Sequence, residues 1–155
     1  ENKKKEEQER TVAKLRSFAE AGHNASIYSM GRMYYNGFNG LEVDYKAAVN
    51  WFQRGYNRGH ARSTTHLGLC YERGNGVAQN ITYAVHLFSI AAKMGSECAC
   101  YNLGVGFVHG QLGLPKDALE AARWFRTMRK ALVRDATVEG RDFSAKWLRE
   151  NTVSQ

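Results

Sequence analysis

The sequence predicts an all-α fold, an α-solenoid of antiparallel helix pairs, and three observations support this class. A glycine within a similar sequence segment recurs at Gly31, Gly68 and Gly104, so the spacing is 37 residues and then 36. Each segment carries apolar residues at the spacing of one helical face, and a second such stripe follows a glycine-rich turn. Repeats of this length built from two helices cannot bury their apolar faces alone, so they stack to build a core.

The first helix of each copy is predicted from a stripe around its central glycine. An apolar residue precedes the glycine and an aromatic residue follows it three positions later, which places all three on one helical face. The stripes are Met30, Gly31 and Tyr34; Leu67, Gly68 and Tyr71; and Leu103, Gly104 and Phe107. A glycine inside a helix costs about 1 kcal/mol relative to alanine. Its recurrence therefore predicts that another helix crosses too close for a side chain.

The second helix of each copy is predicted after a glycine-rich turn, NGFNG, RGNG or HGQLG. A polar residue beyond each turn can cap a helix, because its short side chain accepts hydrogen bonds from free backbone N–H groups. Alanine stands four residues after this cap, and a bulky apolar pair begins seven residues after it. The sets are Asp44, Ala48, Trp51 and Phe52; Asn80, Ala84, Leu87 and Phe88; and Asp117, Ala121, Trp124 and Phe125.

Both ends of the chain are predicted to be helical as well. Residues 11–22 match the second helix of a truncated repeat, and the charged stretch before them is expected to be a helical extension or a frayed tail. Copy three has Leu132 where a closing glycine is expected. Beyond it, residues 140–151 are predicted to form a capping helix, because a terminal repeat must cover its exposed core face. The stripe of this helix is Phe143, Trp147 and Leu148.

These elements divide the chain into five segments. The first residues, ENKKKEEQER, show no signal-peptide pattern, and we expect the chain to be a fragment or a processed product. The segments are a charged extension with the second helix of a truncated repeat at 1–21, three repeats at 22–58, 59–94 and 95–131, and a capping helix with a tail at 132–155.

The repeated residues resemble the Sel1-like repeat, a relative of the tetratricopeptide repeat. The resemblance rests on a small residue, L-G-x-x-Y, a G-x-G turn, D-x-x-x-A-x-x-W-F and a closing glycine, in register from residue 22 to about residue 131. It implies a non-catalytic scaffold or adaptor that binds a partner protein, as a peptide segment or a domain, in a concave groove lined by the first helices. Regulation of an enzyme or complex, within a larger repeat array or a multi-subunit assembly, fits the same resemblance.

The predicted partner-binding residues lie on the flank of each first helix that lines this groove. Tyrosine contributes contact area at low entropic cost and arginine contributes forked hydrogen bonds, so both suit peptide binding. The alternative is that Tyr28 and Tyr35 pack against the preceding unit and close the end of the array. The candidates are Tyr28, Arg32, Tyr35 and Asn36 from copy one; Arg62, Thr65, Leu69 and Arg73 from copy two; and Tyr101, Val105 and His109 from copy three.

Catalytic and metal chemistry find little support in the sequence. His23 and His60 fall in the same inter-repeat turn, and the other three histidines have no partner at ligand spacing. No Ser-His-Asp order, phosphate-binding loop or pair of carboxylates at a plausible cleft can be identified. We therefore expect no catalytic residue, no metal and no cofactor.

The cysteines bear on one enzymatic alternative that the family resemblance brings with it. Cysteine-rich Sel1-like proteins, to which β-lactam binding or hydrolysis is attributed, carry one cysteine in each helix of every repeat. Here copy one has no cysteine and copy two has only Cys70, which disfavours this alternative. Cys98 and Cys100 lie two residues apart on a predicted helix and should point to different faces.

The net charge of +7 supports a second alternative, a basic face that binds nucleic acid or another polyanion. In RWFRTMRKALVR, the cations Arg123, Arg126, Lys130 and Arg134 recur at spacings of three and four residues and form one stripe. No aromatic residues interleave with them, as base stacking would require, so we favour a solvated face and a protein partner. No run of 18 or more apolar residues is present, so we expect no membrane insertion.

Two N-glycosylation sequons leave the compartment open. Asn24-Ala25-Ser26 and Asn80-Ile81-Thr82 would suit the lumen of the secretory pathway, where relatives act as adaptors in endoplasmic-reticulum quality control. Asn80 is also a predicted helix cap. The sequons therefore do not decide between that lumen and the cytoplasm.

Overall fold

The computed structural model describes residues 1–130 and 146–151, and helices dominate both ranges. Residues 146–151 are helical, and the described residues contain no β-strand, so the predicted all-α class is confirmed. The other helices are α1 (Asn2–Glu20), α2 (Asn24–Asn36), α3 (Tyr45–Asn57), α4 (Ala61–Arg73), α5 (Ile81–Lys93), α6 (Glu97–His109) and α7 (Ala118–Lys130).

The helices pack in chain order, as a solenoid requires. The pairs α2–α3, α4–α5 and α6–α7 fall within the three predicted repeats, and successive pairs stack through α3 on α4 and α5 on α6. Helix α1 packs on α2 in the same way, which is the place of a second helix from a truncated repeat. It begins at Asn2, so the charged stretch before residue 11 is helical.

Each repeat glycine lies under an aromatic ring from the second helix of its own pair. The three rings are fully buried. A Cβ built on any of these glycines would come closer to its ring than a carbon–carbon contact allows, so the predicted close crossing is confirmed. The nearest ring atoms are those of Phe52 for Gly31 (2.4 Å), Phe88 for Gly68 (2.7 Å) and Phe125 for Gly104 (2.3 Å).

The glycine turns end the first helices and position the predicted caps. Each first helix ends at a glycine with a left-handed backbone, where a side chain would be strained. These glycines are Gly37 (φ 70°), Gly74 (φ 72°) and Gly110 (φ 66°). A carboxylate or amide oxygen of Asp44, Asn80 and Asp117 then accepts a hydrogen bond from the backbone N–H three residues later, at 2.9–3.0 Å. All three predicted caps are confirmed.

Residues 146–151 lie against the end of the last repeat. Leu148 is 6% exposed and packs in one apolar cluster with Ala121 and Phe125. The ring centroids of Trp147 and Phe125 are 5.5 Å apart. These are the contacts that a capping helix should make; Leu132, Phe143 and the rest of the stretch before Lys146 lie outside the described residues.

Candidate functional site

The first helices α2, α4 and α6 meet along one side of the array, and we call the side chains they present there the first-helix face. The ring of Tyr28 in α2 contacts the ring of His66 in α4, with centroids 5.1 Å apart. The hydroxyl of Thr65 in α4 lies 2.7 Å from that of Ser96, the N-cap of α6. The predicted partner-binding residues all come from these three helices.

Six side chains at the junction of α2 and α4 form what we call the basic-aromatic cluster. The guanidinium carbons of Arg32 and Arg62 lie 5.9 Å and 6.0 Å from the ring centroid of Tyr28, within cation–π range. The structure thus brings five of the predicted residues together with one that was not predicted. The cluster consists of Tyr28, Arg32 and Tyr35 from α2 and Arg62, His66 and Arg73 from α4.

The hydroxyl of Tyr35 fixes the far end of the cluster. Arg73 donates a hydrogen bond from Nη1 to this oxygen at 3.2 Å, and Asn75 donates a second from Nδ2 at 2.8 Å. The ring of Tyr35 also packs edge-on against that of Tyr45, with centroids 5.1 Å apart. The Arg73 guanidinium is therefore held in place while the arginine as a whole remains exposed.

His66 occupies the centre of the cluster, although no role for it was expected from the sequence. Its ring lies between those of Tyr28 and Phe52, at centroid distances of 5.1 Å and 5.2 Å. Its Nδ1 is 3.1 Å from the carbonyl oxygen of Arg62, which can only accept, so this nitrogen carries the proton. Burial, followed by the charges of nearby arginines, lowers the pKa of His66 to about 4, and the ring is neutral at pH 7.

The position of His66 could have been found from spacing. It follows Arg62 by four residues and precedes Arg73 by seven, so the three share one face of α4. Asn75 offered no comparable signal, because it lies in the turn after α4.

The structure corrects the assignment of Thr65 to the partner-binding surface. Thr65 is 1% exposed, and its hydroxyl contacts Ser96 and the carbonyl oxygen of Ala61, the latter at 3.0 Å. The hydroxyl is used inside the array because the start of α6 packs directly over it. It cannot meet a partner without opening the α4–α6 junction.

The remaining candidates form an apolar half and an edge of the first-helix face. Leu69 and Tyr101 are half-buried against the core between the second and third repeats, and Val105 is half-buried against the core of the third. Asn36 and His109 are exposed at the ends of α2 and α6. The Asn36 amide donates to the Arg32 carbonyl oxygen at 3.0 Å.

The alternative placement of Tyr28 and Tyr35, against the preceding unit, is not what the structure shows. Both rings contact Phe52 of their own repeat and side chains of the following one. The tyrosine that reaches the preceding helix is Tyr34, whose hydroxyl accepts a hydrogen bond from Arg16 of α1 at 2.6 Å.

The three cysteines are free thiols, and only Cys98 is exposed. Burial raises the pKa of Cys70 to about 12 and that of Cys100 to about 11. Burial and then Glu97 also raise the pKa of Cys98, while the nearby charge of Arg62 opposes this. Cys98 therefore lies close to the basic-aromatic cluster, and its predicted separation from Cys100 onto another face is confirmed.

The histidines of the inter-repeat turns have structural positions. His23 and His60 are the N-cap residues of α2 and α4, and each Nδ1 lies 2.8 Å from a serine hydroxyl three residues later. In the part of the chain that the structure describes, no group of three or more histidine, cysteine or acidic side chains could hold a metal ion. Within the same residues, no helix is long and apolar enough to cross a membrane.

The predicted basic stripe of α7 is described only in part. Arg123 forms an ion pair with Glu120, and Arg126 is exposed. The side chain of Lys130 and all of Arg134 lie outside the described residues.

A hollow of about 410 Å³ lies beside α1, away from the basic-aromatic cluster. Side chains of α1, among them Gln8, Val12 and Arg16, line it together with Asn39 and Leu41 of the first glycine turn. None of its lining residues belongs to the cluster. A protein partner needs no such cavity, because protein interfaces are commonly broad and shallow.

Comparison with known proteins gives a family match across most of the chain. A family model described as "Sel1 repeat" matches three times, at residues 24–60, 61–96 and 99–128. Each match begins two to four residues after the start of the corresponding predicted repeat.

Individual proteins show the same similarity over part of their length. Protein SHC1 of Saccharomyces cerevisiae is 32% identical over 117 residues, which are 76% of this chain and 23% of that protein. The ERAD-associated E3 ubiquitin-protein ligase component HRD3B of Arabidopsis thaliana is 35% identical over 104 residues, 66% of this chain and 16% of that protein. The crystal structure of a Sel1 repeat protein from Oxalobacter formigenes matches with a TM-score of 0.66 at 26% identity, covering 75% of this chain and 87% of that one. The chain spans less than a quarter of the length of these two curated relatives.

Proposed function

Since the chain belongs to the Sel1 repeat family, we propose that it acts as a non-catalytic adaptor that binds a segment of another protein on its first-helix face. The basic-aromatic cluster carries this proposal. Arginine and tyrosine dominate the energetics of protein interfaces, and here they are concentrated at one exposed junction. The name of the Arabidopsis relative, a component of a ubiquitin-protein ligase, is in keeping with such a role.

The geometry of the cluster favours binding over catalysis. Its one imidazole, His66, is packed between two aromatic rings and donates its Nδ1–H to a backbone carbonyl. With a pKa of about 4, this ring is a poor general base near pH 7, because proton transfer is most efficient when the pKa lies near the working pH. The arginines are permanent cations and suit recognition of a partner.

The exposed thiol of Cys98 provides a test that leaves the sequence unchanged. A bulky polyethylene glycol maleimide should react with Cys98 in the folded protein much faster than with the buried, high-pKa Cys70 and Cys100. The immobilised chain is then used for affinity capture, with and without the polymer, and the bound proteins are quantified by mass spectrometry. Proteins that bind the first-helix face should be lost from the modified chain.

The matched control places the same polymer on a second helix. In a Cys98→Ser background, Thr82→Cys puts an exposed thiol at the start of α5. We expect the polymer at residue 82 to leave capture unchanged. Capture that survives modification at Cys98, or that is lost equally with either polymer, would contradict the proposed function.

A further inference from the structure

We propose that the basic-aromatic cluster binds an acidic peptide segment in the polyproline II conformation, through two carboxylate side chains about three residues apart. This inference rests on the proposed function of the first-helix face, and it specifies the chemistry of the partner.

The charge of the cluster calls for an anionic partner. Two ion pairs among the described residues, between Arg123 and Glu120 and between Lys146 and Glu150, lie outside the cluster. Within those same residues, Arg32 and Arg73 have no carboxylate in ion-pair contact, and both are exposed. A guanidinium group carries five N–H donors in a fork that matches a carboxylate, and the bond from Arg73 to Tyr35 engages one of them.

The arginines act on one small region and not as scattered surface charges. Burial is the main cause of the low pKa of His66, and Arg32, Arg73 and Arg62 each lower it further. Their fields therefore overlap at this ring. Because the ring is neutral, the positive charge of the cluster comes from the guanidinium groups alone and does not vary near pH 7.

The spacing of the anchors defines the length of the occupant. Tyr28, beside which Arg32 and Arg62 lie, precedes Tyr35, which holds Arg73, by seven residues of helix. Two helical turns separate them by about 10 Å along the axis. A peptide in the polyproline II conformation rises by about 3.1 Å per residue and has three residues per turn. Its side chains at i and i+3 therefore lie on the same side, about 9 Å apart.

The neighbouring apolar half favours a peptide over a nucleic acid. Leu69 and Val105 occupy the positions in α4 and α6 that Arg32 occupies in α2, and both are half-buried. Nucleic acids bind through a long track of phosphate contacts, whereas here the cations give way to apolar side chains along the array. An acidic segment followed by an apolar residue would use both halves.

The test uses the full chain and short fluorescein-labelled peptides followed by fluorescence anisotropy at low ionic strength. The peptides contain alanine, serine and one leucine, with two glutamates at every spacing from adjacent to several residues apart. Glutamine replaces glutamate in a matched set. We expect the peptide with glutamates at i and i+3 to bind most tightly and its glutamine counterpart to bind at least about tenfold more weakly, because hydrogen bonds to charged groups are the stronger ones.

Three variants that each remove one positive charge show which arginines the peptide contacts. Arg32→Gln and Arg73→Gln should each weaken the glutamate peptide by about tenfold, while Arg126→Gln on α7 should change it by less than about twofold. The affinity of Arg73→Lys for this peptide should lie between those of the parent chain and Arg73→Gln, since lysine keeps the charge and loses the forked hydrogen bonds. Circular dichroism melts confirm that each variant is folded.

Three results would overturn the acidic-segment proposal. They are equal binding of glutamate and glutamine peptides, indifference to both arginine variants, and tighter binding of a phosphoserine peptide or an oligothymidylate that displaces the glutamate peptide. If any of them occurred while the polymer on Cys98 still abolished capture, the proposed function would stand and only its chemistry would be wrong. A polymer without effect would contradict the binding face itself.

Discussion

Substitution of Gly68 by alanine tests the close crossing at the middle of the array. The new Cβ would lie 2.7 Å and 2.9 Å from Cε1 and Cδ1 of Phe88, and 3.4 Å from the carbonyl oxygen of Ala84. The ring is fully buried and the carbonyl belongs to a helix, so neither can move without disturbing the α4–α5 pair.

The expected magnitude is the difference between two opposing effects. Alanine in place of glycine favours a helix by about 1 kcal/mol, whereas overpacking a core costs typically about 1–3 kcal/mol. With the contact as close as it is here, we expect the free energy of unfolding to fall by roughly 1–2 kcal/mol. For a chain of this size, Tm should then fall by about 2–8 °C.

Gly106→Ala is the matched control within a first helix. Its Cβ would meet Cδ1 of Leu114 at 3.1 Å and Cδ1 of Leu112 at 3.5 Å, the mobile ends of side chains in a turn. Because these ends can give way, this substitution should be neutral or stabilise the protein by up to about 1 kcal/mol.

Urea denaturation followed by far-ultraviolet circular dichroism measures both variants, alone and in a Phe88→Leu background. Phe88→Leu destabilises the protein by itself, but it removes Cε1, the ring atom nearest the new Cβ, and leaves a smaller side chain that can rotate away from it. Gly68→Ala should therefore lose its cost in that background, which gives a positive coupling free energy. The reasoning is refuted if Gly68→Ala is as stable as the parent chain, or if its cost persists once the ring is gone.

Two further predictions concern buried polar side chains. Thr65→Val should lower the free energy of unfolding by about 1 kcal/mol because Ser96 loses its hydroxyl partner, whereas Thr127→Val, at an exposed site, should be nearly neutral in the same melts. The free energy of unfolding should also fall, by up to about 3 kcal/mol, as pH drops from about 6.5 to 4. Burial and then the arginines lower the pKa of folded His66 to about 4. The unfolded chain therefore binds the proton at a higher pH than the folded chain does. His66→Gln should flatten this pH dependence in urea titrations at several pH values. A smaller slope of the same sign should remain from His60, whose pKa is lowered by burial and by Arg62. An unchanged slope in His66→Gln would contradict the assignment to His66.

The fold could be predicted from the sequence because its determinants are local and occur three times. Three kinds of residue act within each repeat. They are a glycine that leaves room for an aromatic ring, a glycine that ends the first helix, and a polar side chain that caps the second helix. Agreement among three copies separates such residues from chance. The stripe at Gly68 and the cap at Asn80 are examples, and the structure confirms both.

The candidate site was less predictable because its burial depends on the neighbouring repeat. Tyr28 and Thr65 occupy the same position in successive first helices, yet Tyr28 is half-exposed beside His66 and Thr65 is buried under Ser96. Register determines the direction of a Cβ along its helix, but not which side chain of the next helix lies opposite. His66 was missed for a different reason, because its counterpart in copy one is Ser29 and only its spacing from Arg62 and Arg73 places it on their face of α4.

The position after each crossing glycine changes in chemistry along the array, unlike the same position in a solenoid of identical repeats. The residue that follows each crossing glycine is Arg32, then Leu69, then Val105, while the glycines and the rings above them do not change. The core stripe keeps the helix pairs in the same packing, so the adjacent position can change its chemistry at little cost to the fold. Charge consequently lies at the α2–α4 junction and apolar surface at the α4–α6 junction. In the proposed complex this asymmetry orients the bound segment, with its carboxylates beside Tyr28 and Tyr35 and its apolar side chain toward α6.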